Sequence, residues 1–106
     1  MTAAGELNRR LALNAPVDID DGAGGVFTTY QLVTTLWAQV TPAGASPDIS
    51  ADSLGAARRY VIVIRYRDDV TTRHRFQDGE RIFRIVAVQE SADRRFLEIT
   101  AEERTA

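Results

Sequence analysis

The chain has 106 residues, a formal net charge of −2 and no cysteine. That length is typical of one domain, which buries about 65% of its unfolded surface around a single core without covalent cross-links. The missing cysteine excludes disulfides, thiolate zinc sites and a cysteine nucleophile, and the slightly acidic balance argues against binding DNA or membranes through overall charge.

The front half of the chain predicts two strands separated by a long loop. Residues 7–14 place leucine and arginine on one face of the first strand, and Pro16 is predicted to end it. Residues 31–42 have the β-branched content of a strand. Between them lies a loop at about 14–30, whose most unusual stretch is the acidic, glycine-rich DIDDGAGG at 18–25.

A second long loop is predicted at about 41–59. Serine and aspartate capping residues precede a short run of leucine and alanine there, which predicts at most one short helix near residues 50–58. A glycine inside that run weakens the helix.

The rest of the chain alternates apolar and polar residues like a β-meander. YVIVIRYR is its strongest strand, and Asp78-Gly79 is the dipeptide that suits a two-residue hairpin turn. In chain order we predict strands over 60–67, 71–76, 81–90 and 94–103, with turns at 68–70, around 78–79 and at 91–93.

Together these elements predict an all-β, mainly antiparallel fold. Five or six strands in one domain over residues 1–106 are best arranged as a small β-barrel, because closure removes exposed strand edges. No apolar run is long enough for a membrane span or a signal peptide, so we expect a soluble, unprocessed protein without membrane contact.

The acidic, glycine-rich stretch fits no known ligand loop. Counted from Asp18 as an EF-hand loop, it has glycine, alanine and threonine at positions 5, 6 and 12, where calcium requires other residues. The protein has no lysine for a Walker A loop, and the glycine spacing breaks the dinucleotide pattern. We therefore expect no metal and no cofactor. The stretch is interpreted as a flexible arm that a partner protein orders, with candidate inter-subunit contacts at Asp18, Asp20, Asp21, Gly22, Gly24 and Gly25.

Catalytic residues are scarce. His74 is the only histidine, lies between two arginines in a predicted strand, and has no serine in an elbow motif to pair with. We expect that the protein is not an enzyme.

All 13 basic residues are arginine, and several form a stripe. By the two-residue period of a strand, Arg65 and Arg67 share a face, Arg73 and Arg75 share a face, and hairpin pairing would bring the two pairs together. The stripe is either a solvated face balanced by nearby acids or a contact surface for protein or for nucleic-acid phosphates. Phe76 and Tyr66 are equally suited to the core or to stacking on bases, and Trp37 to the core or an interface.

Several segments, taken in order, resemble one family. AGELNRRLAL, an acidic loop ending in a double glycine, LWAQV, and YVIVIRYRDDVTTRHRFQDGERIFRIVAV are similar to the head-tail joining proteins of long-tailed phages and gene transfer agents. These are also called head-closure, head-completion or stopper proteins. The resemblance covers nearly the whole chain.

The resemblance implies a structural role in a virion or gene transfer agent particle assembled in the host cytoplasm. A β-barrel of this family would form a homo-oligomeric ring of six or twelve subunits under the portal and adaptor proteins. The ring would close the DNA-filled capsid, dock the tail terminator or tail tube, and make non-specific contact with double-stranded DNA in its channel. Two alternatives stay open: a nucleic-acid-binding β-barrel that uses the arginine patch, and a barrel that holds a small ligand in an internal pocket.

Overall fold

The alternating apolar residues form one antiparallel sheet. The computed structural model describes residues 7–43 and 58–105, which contain six strands and no helix. The strands are β1 (Arg9–Asp20), β2 (Val26–Pro42), β3 (Arg58–Arg65), β4 (Arg75–Asp78), β5 (Arg81–Glu90) and β6 (Phe96–Thr105).

The sheet closes into a barrel with the strand order β1-β2-β3-β6-β5-β4. All pairs are antiparallel, and closure depends on a short ladder in which Leu13 of β1 pairs with Phe76 of β4. The predicted small antiparallel barrel is confirmed.

Inward-facing side chains of all six strands fill the barrel. The ring of Phe83 meets that of Tyr60 edge-on, with centroids 5.5 Å apart, the geometry that aromatic pairs favour. The largest fully buried side chains are Leu11, Leu13, Ile62, Ile64, Phe76, Phe83, Ile85 and Ile99.

A partly buried ion pair links β5 to β6. Arg81 donates from Nε and Nη2 to the two carboxylate oxygens of Glu103, at 2.6 and 3.2 Å. This bond lowers the pKa of Glu103 and raises that of Arg81. The guanidinium also lies 5.0 Å from the Phe83 ring centroid, so the pair caps one side of the core.

The prediction for the second half was correct in type and shifted at several ends. β5 has the predicted bounds, whereas β3 begins at Arg58, two residues earlier than predicted. The predicted strand over 71–76 starts only at Arg75, because Thr71 and His74 close a turn. In that turn His74 N donates to the Thr71 carbonyl, and Thr71 N donates to His74 Nδ1.

Two turns also differ from the prediction, one in position and one in length. Asp78 pairs with Arg81, so the β4–β5 turn consists of Gly79 and Glu80 rather than centring on residues 78 and 79. Gly79 has a φ of 62°, which suits glycine at the first position of a tight hairpin turn. β6 starts at Phe96, because residues 91–95 are needed for the turn before it.

The largest correction concerns residues 14–30, predicted as a loop. They form the end of β1, a short turn and the start of β2, and Pro16 lies inside β1 rather than ending it. Proline is tolerated there because β1 has a pairing partner on one side only at this point. Most of the second predicted loop, and the predicted helix near 50–58 up to residue 57, lie outside the described residues.

Candidate functional site

β1 and β2 extend past the closed part of the barrel. The β1–β4 ladder runs only from Ala12 to Asn14, and the β2–β3 ladder only from Ala38 to Pro42. Residues 15–31 therefore pair only with each other in the sheet, as a two-stranded hairpin that we call the arm. At about 3.4 Å per residue, the tip lies roughly 20 Å along the arm from its base.

The tip of the arm is a turn capped by its own carboxylates. Asp20 Oδ1 accepts a hydrogen bond from Gly22 N at 2.9 Å. Asp21 Oδ1 accepts from Ala23 N at 2.8 Å and from Gly25 N at 3.0 Å. These backbone donors lower the pKa of the Asp21 carboxyl, which keeps it ionised at neutral pH. Asp20 and Asp21 therefore stabilise the turn through hydrogen bonds to its backbone.

Two glycines of the tip are required by backbone geometry, and a third lies against the carboxylate that caps the turn. Gly22 and Gly24 have φ values of 79° and 83°, in the left-handed region that side chains disfavour. At Gly25 an added Cβ would lie 2.6 Å from Asp21 Oδ2. The composition of the tip is therefore explained by a tight, self-capped turn.

The arm has one uncovered apolar face. Cross-strand partners share a face, so Ile19 lies beside Phe27 and Val17 beside Thr29. Ile19 and Phe27 are 39% and 49% exposed. Val26, which pairs with Asp20 on the opposite face close to the tip, is 66% exposed.

The opposite face of the arm encloses a cleft of about 630 Å³ against β4, β5 and the turn before β4. We call it the arginine cleft. Its cationic residues are Arg73, Arg75 and Arg84, and its apolar walls include Tyr30, Ile82 and Val86.

Two contacts hold the arm over this cleft. The Arg75 guanidinium lies 3.8 Å from the centroid of the Tyr30 ring, a close cation–π contact. Arg73 Nη2 donates to Asp18 Oδ2 at 3.4 Å, and Asp18 also accepts a 2.8 Å bond from the Thr28 hydroxyl. The arm is thus tied to the barrel at Tyr30, close to its base, and at Asp18, about halfway along, whereas Asp21 bonds within the turn itself.

The cleft has an excess of positive charge. Among the described residues, the only carboxylate that forms an ion pair with a cleft arginine is Asp18, which pairs with Arg73. Arg75 Nε is buried without a hydrogen-bond partner. Arg84 is exposed and makes no hydrogen bond or ion pair with the described part of the chain. This geometry is suited to binding an anionic group.

A family model described as phage head completion protein matches residues 2–104. The chain belongs to the phage head completion protein family. This confirms the resemblance seen in the sequence.

Solved structures agree with this assignment. A chain from the virion of a native gene transfer agent particle is 30% identical to this head completion protein, with a TM-score of 0.70, over 94% of this chain and 97% of that one. A Shigella flexneri 2a protein known from a solution structure is 27% identical, with a TM-score of 0.72, over 96% of each chain. Comparison with curated proteins gave no match. Family and virion structure together identify a structural component of a phage-type particle.

In this head completion protein the predicted arginine pairs do not form one patch. β3 pairs with β2 and β6, not with β4, so Arg65 and Arg67 lie apart from Arg73 and Arg75. Arg67 instead forms a bidentate pair with Asp69, at 2.9 and 2.8 Å.

The arginine that joins Arg75 is Arg84, its partner in the β4–β5 ladder. The prediction from sequence missed it. The signal was present, because a hairpin turned at Gly79 and Glu80 brings these two positions opposite each other.

The aromatic residues left open by the sequence are divided between core and surface. Phe76 is fully buried, whereas Tyr66 and Trp37 are 44% and 51% exposed. The Arg10 guanidinium lies 5.1 Å from the Trp37 ring centroid, and Trp37 borders a smaller cleft of about 340 Å³ together with Arg65. Trp37 is therefore a surface residue and available to a partner.

Two further findings concern only the part of the chain that the structure describes. Within residues 7–43 and 58–105, histidine, aspartate and glutamate form no group of three that could hold a metal ion. No helix in those same ranges is long and apolar enough to cross a membrane.

Proposed function

We propose that this head completion protein forms a homo-oligomeric ring under the portal and adaptor proteins. The ring closes the DNA-filled head and presents a docking surface to the tail terminator or tail tube. The observation that carries this proposal is the similarity, across nearly the full length of both chains, to a component of a gene transfer agent virion, together with the family match.

The shape of the subunit supports a ring. The closed barrel is a self-contained folding unit, while the arm projects uncovered apolar side chains and an acidic turn. A contact between two different surfaces of identical subunits closes into a ring when the rotation permits. The arm, with its candidate contact residues Asp18, Asp20, Asp21, Gly22, Gly24 and Gly25, supplies one such surface in this proposal.

Deletion of the gene tests this role. Particles without the protein are expected to package DNA but to lose it on purification and to lack tails, and the wild-type gene supplied in trans restores both properties. Particles that retain DNA and carry tails without the protein would contradict the proposal. Electron microscopy scores the tails, and nuclease protection of particle DNA scores closure of the head.

DNA contact is a second candidate function. Arg65 is exposed and, like Arg84, forms no hydrogen bond or ion pair with a described residue, so each is free to meet a phosphate in the channel. The logarithm of the binding constant of the isolated protein for double-stranded DNA should then fall linearly with the logarithm of the salt concentration. Replacing Arg65 and Arg84 with glutamine should reduce that slope, and an unchanged slope would exclude a phosphate contact by these two arginines.

A further inference from the structure

The arginine cleft is both cationic and apolar, so its occupant should be both anionic and apolar. Of the three cleft arginines, only Arg73 forms an ion pair with a described carboxylate, Asp18, and Arg75 Nε is buried without a hydrogen-bond partner. The walls contributed by Tyr30 and Ile82 are apolar. A volume of about 630 Å³ is large enough for several side chains.

The tip of the arm has the complementary chemistry. Asp20 and Asp21 are exposed carboxylates, and Val26, the cross-strand partner of Asp20, is an exposed apolar side chain. A carboxylate next to an apolar residue fits an arginine next to an apolar wall, because the ion pair is shielded from water while the apolar areas are buried.

A chain is poorly placed to fill its own cleft with its own tip. The cleft lies under the part of the arm that contains Tyr30 and Asp18, which contact the barrel. The carboxylates of Asp20 and Asp21 lie about 7–10 Å further along two paired strands, where they accept hydrogen bonds from the backbone of their own turn. The tip is therefore free to enter the cleft of another copy, and a contact between tip and cleft is heterologous, which is the type that builds rings.

We propose that the acidic tip of the arm of one copy occupies the arginine cleft of the next copy around the ring. This inference rests on the proposed ring and names its subunit contact. Double-stranded DNA suits the cleft less well, because a phosphate backbone has no apolar group to cover the walls formed by Tyr30, Ile82 and Val86.

Site-specific cross-linking tests the contact. Because the chain contains no natural cysteine, a thiol reagent links it only through the cysteines that are introduced. Ala23→Cys places a thiol at the tip, and Thr72→Cys places one at the rim of the cleft; both positions are exposed. The double variant is produced as the only copy in particles, and a short bifunctional thiol reagent is added. A ladder of covalent multimers of this chain is expected.

The matched control pairs Thr72→Cys with Ala92→Cys, an exposed position in the β5–β6 turn. Formation of the ladder with the control pair but not with the tip pair would overturn the proposal. So would linkage of the tip cysteine to a different virion protein. Particles that contain the chain and retain DNA, yet give no ladder, refute the contact while leaving the ring role intact. Particles that are closed and tailed without the chain refute the proposed function itself.

Charge reversal provides a second measurement on the purified full chain, independent of particle assembly. With both cysteines present, Arg84→Glu is expected to reduce the multimer yield about tenfold or more, because it opposes like charges at the contact. Arg65→Glu is the control, since Arg65 is also an exposed strand arginine without a described partner but lies outside the cleft. Equal yields for both variants would contradict the contact. A loss of DNA binding with Arg84→Glu at unchanged multimer yield would assign the cleft to phosphate instead.

Discussion

The barrel and the arm are consecutive parts of the same two strands, but they are stabilised in different ways. Within the barrel, β1 buries Leu11 and Leu13 almost completely. A few residues later the same strand leaves Ile19 39% exposed, beside Phe27 on β2. One region has a closed core on its inner side, and the other has solvent on its apolar face.

This difference indicates that the barrel stabilises the fold, whereas the exposed apolar residues of the arm are available for contacts with other molecules. A two-stranded hairpin is at best marginally stable in water by itself, so the arm depends on its capped turn and on the Arg75–Tyr30 contact at its base. Apolar residues that add little to the fold are best explained by contacts outside the subunit. We therefore propose that the barrel is the folding unit and that the arm makes contacts in assembly.

Two phenylalanines test this separation with the largest expected effect. Phe76→Ala removes a fully buried ring and should lower the free energy of unfolding by about 3–5 kcal/mol. Phe27→Ala removes a half-exposed ring and should change it by no more than about 0.5 kcal/mol. Denaturant unfolding of both variants measures the difference. Similar losses would mean that the arm belongs to the cooperative core.

Replacing the carboxylate of either of two ion pairs should change the free energy of unfolding by an intermediate amount. Glu103 is 13% exposed and accepts two bonds from Arg81, whereas Asp18 is 49% exposed and meets Arg73 at 3.4 Å. Glu103→Gln should therefore cost about 1–3 kcal/mol, and Asp18→Asn no more than about 1 kcal/mol. The same unfolding measurement applies, and an inverted order would refute the ranking.

The pH dependence of the Glu103 pair has a defined sign. Its hydrogen bonds from Arg81 lower the pKa below the ordinary value of 4.5, so the folded protein binds this proton less tightly than the unfolded chain. The stabilisation is complete near neutral pH and is lost as the pH falls below 4.5 through the lowered pKa. The difference in unfolding free energy between wild type and Glu103→Gln should shrink over that range. A difference that grows on acidification would contradict this assignment.

Two glycines with positive φ provide the smallest effect. Gly79→Ala, in the barrel, should cost about 1 kcal/mol in global unfolding, because alanine disfavours a φ of 62°. Gly24→Ala places alanine at a φ of 83° in the tip, where the arm can open locally and relieve the strain. It should cost less globally and instead speed amide exchange in the arm. Faster exchange throughout the barrel with Gly24→Ala would argue against local opening.

The barrel was more predictable from the sequence than the arm. β5 was located correctly because its alternation of apolar and polar residues reflects a core on one side of the strand. Pro16 and the glycines of the tip indicated a loop, because sequence patterns do not show that β1 has a free edge at that point. Only the long-range β1–β4 ladder, which ends at Asn14, defines that edge.

Only some residues of the arginine cleft could be predicted, because the others depend on strand register and tertiary contacts. Arg73 and Arg75 were identified from local spacing, whereas Arg84 required the hairpin register to be correct by one residue. Tyr30 joins them only because the arm folds over β4, a tertiary contact with no signal in the local sequence.

An arm-shortened variant tests the division between folding and assembly most directly. Replacing residues 16–30 with Asn-Gly joins Ala15 to Gln31, which already face each other, through a two-residue turn. Incorporation of this variant into particles is compared with wild type, after its folding has been verified by cooperative unfolding. The account predicts a folded barrel that is absent from particles, which then lack tails. Normal incorporation with closed, tailed particles would contradict it.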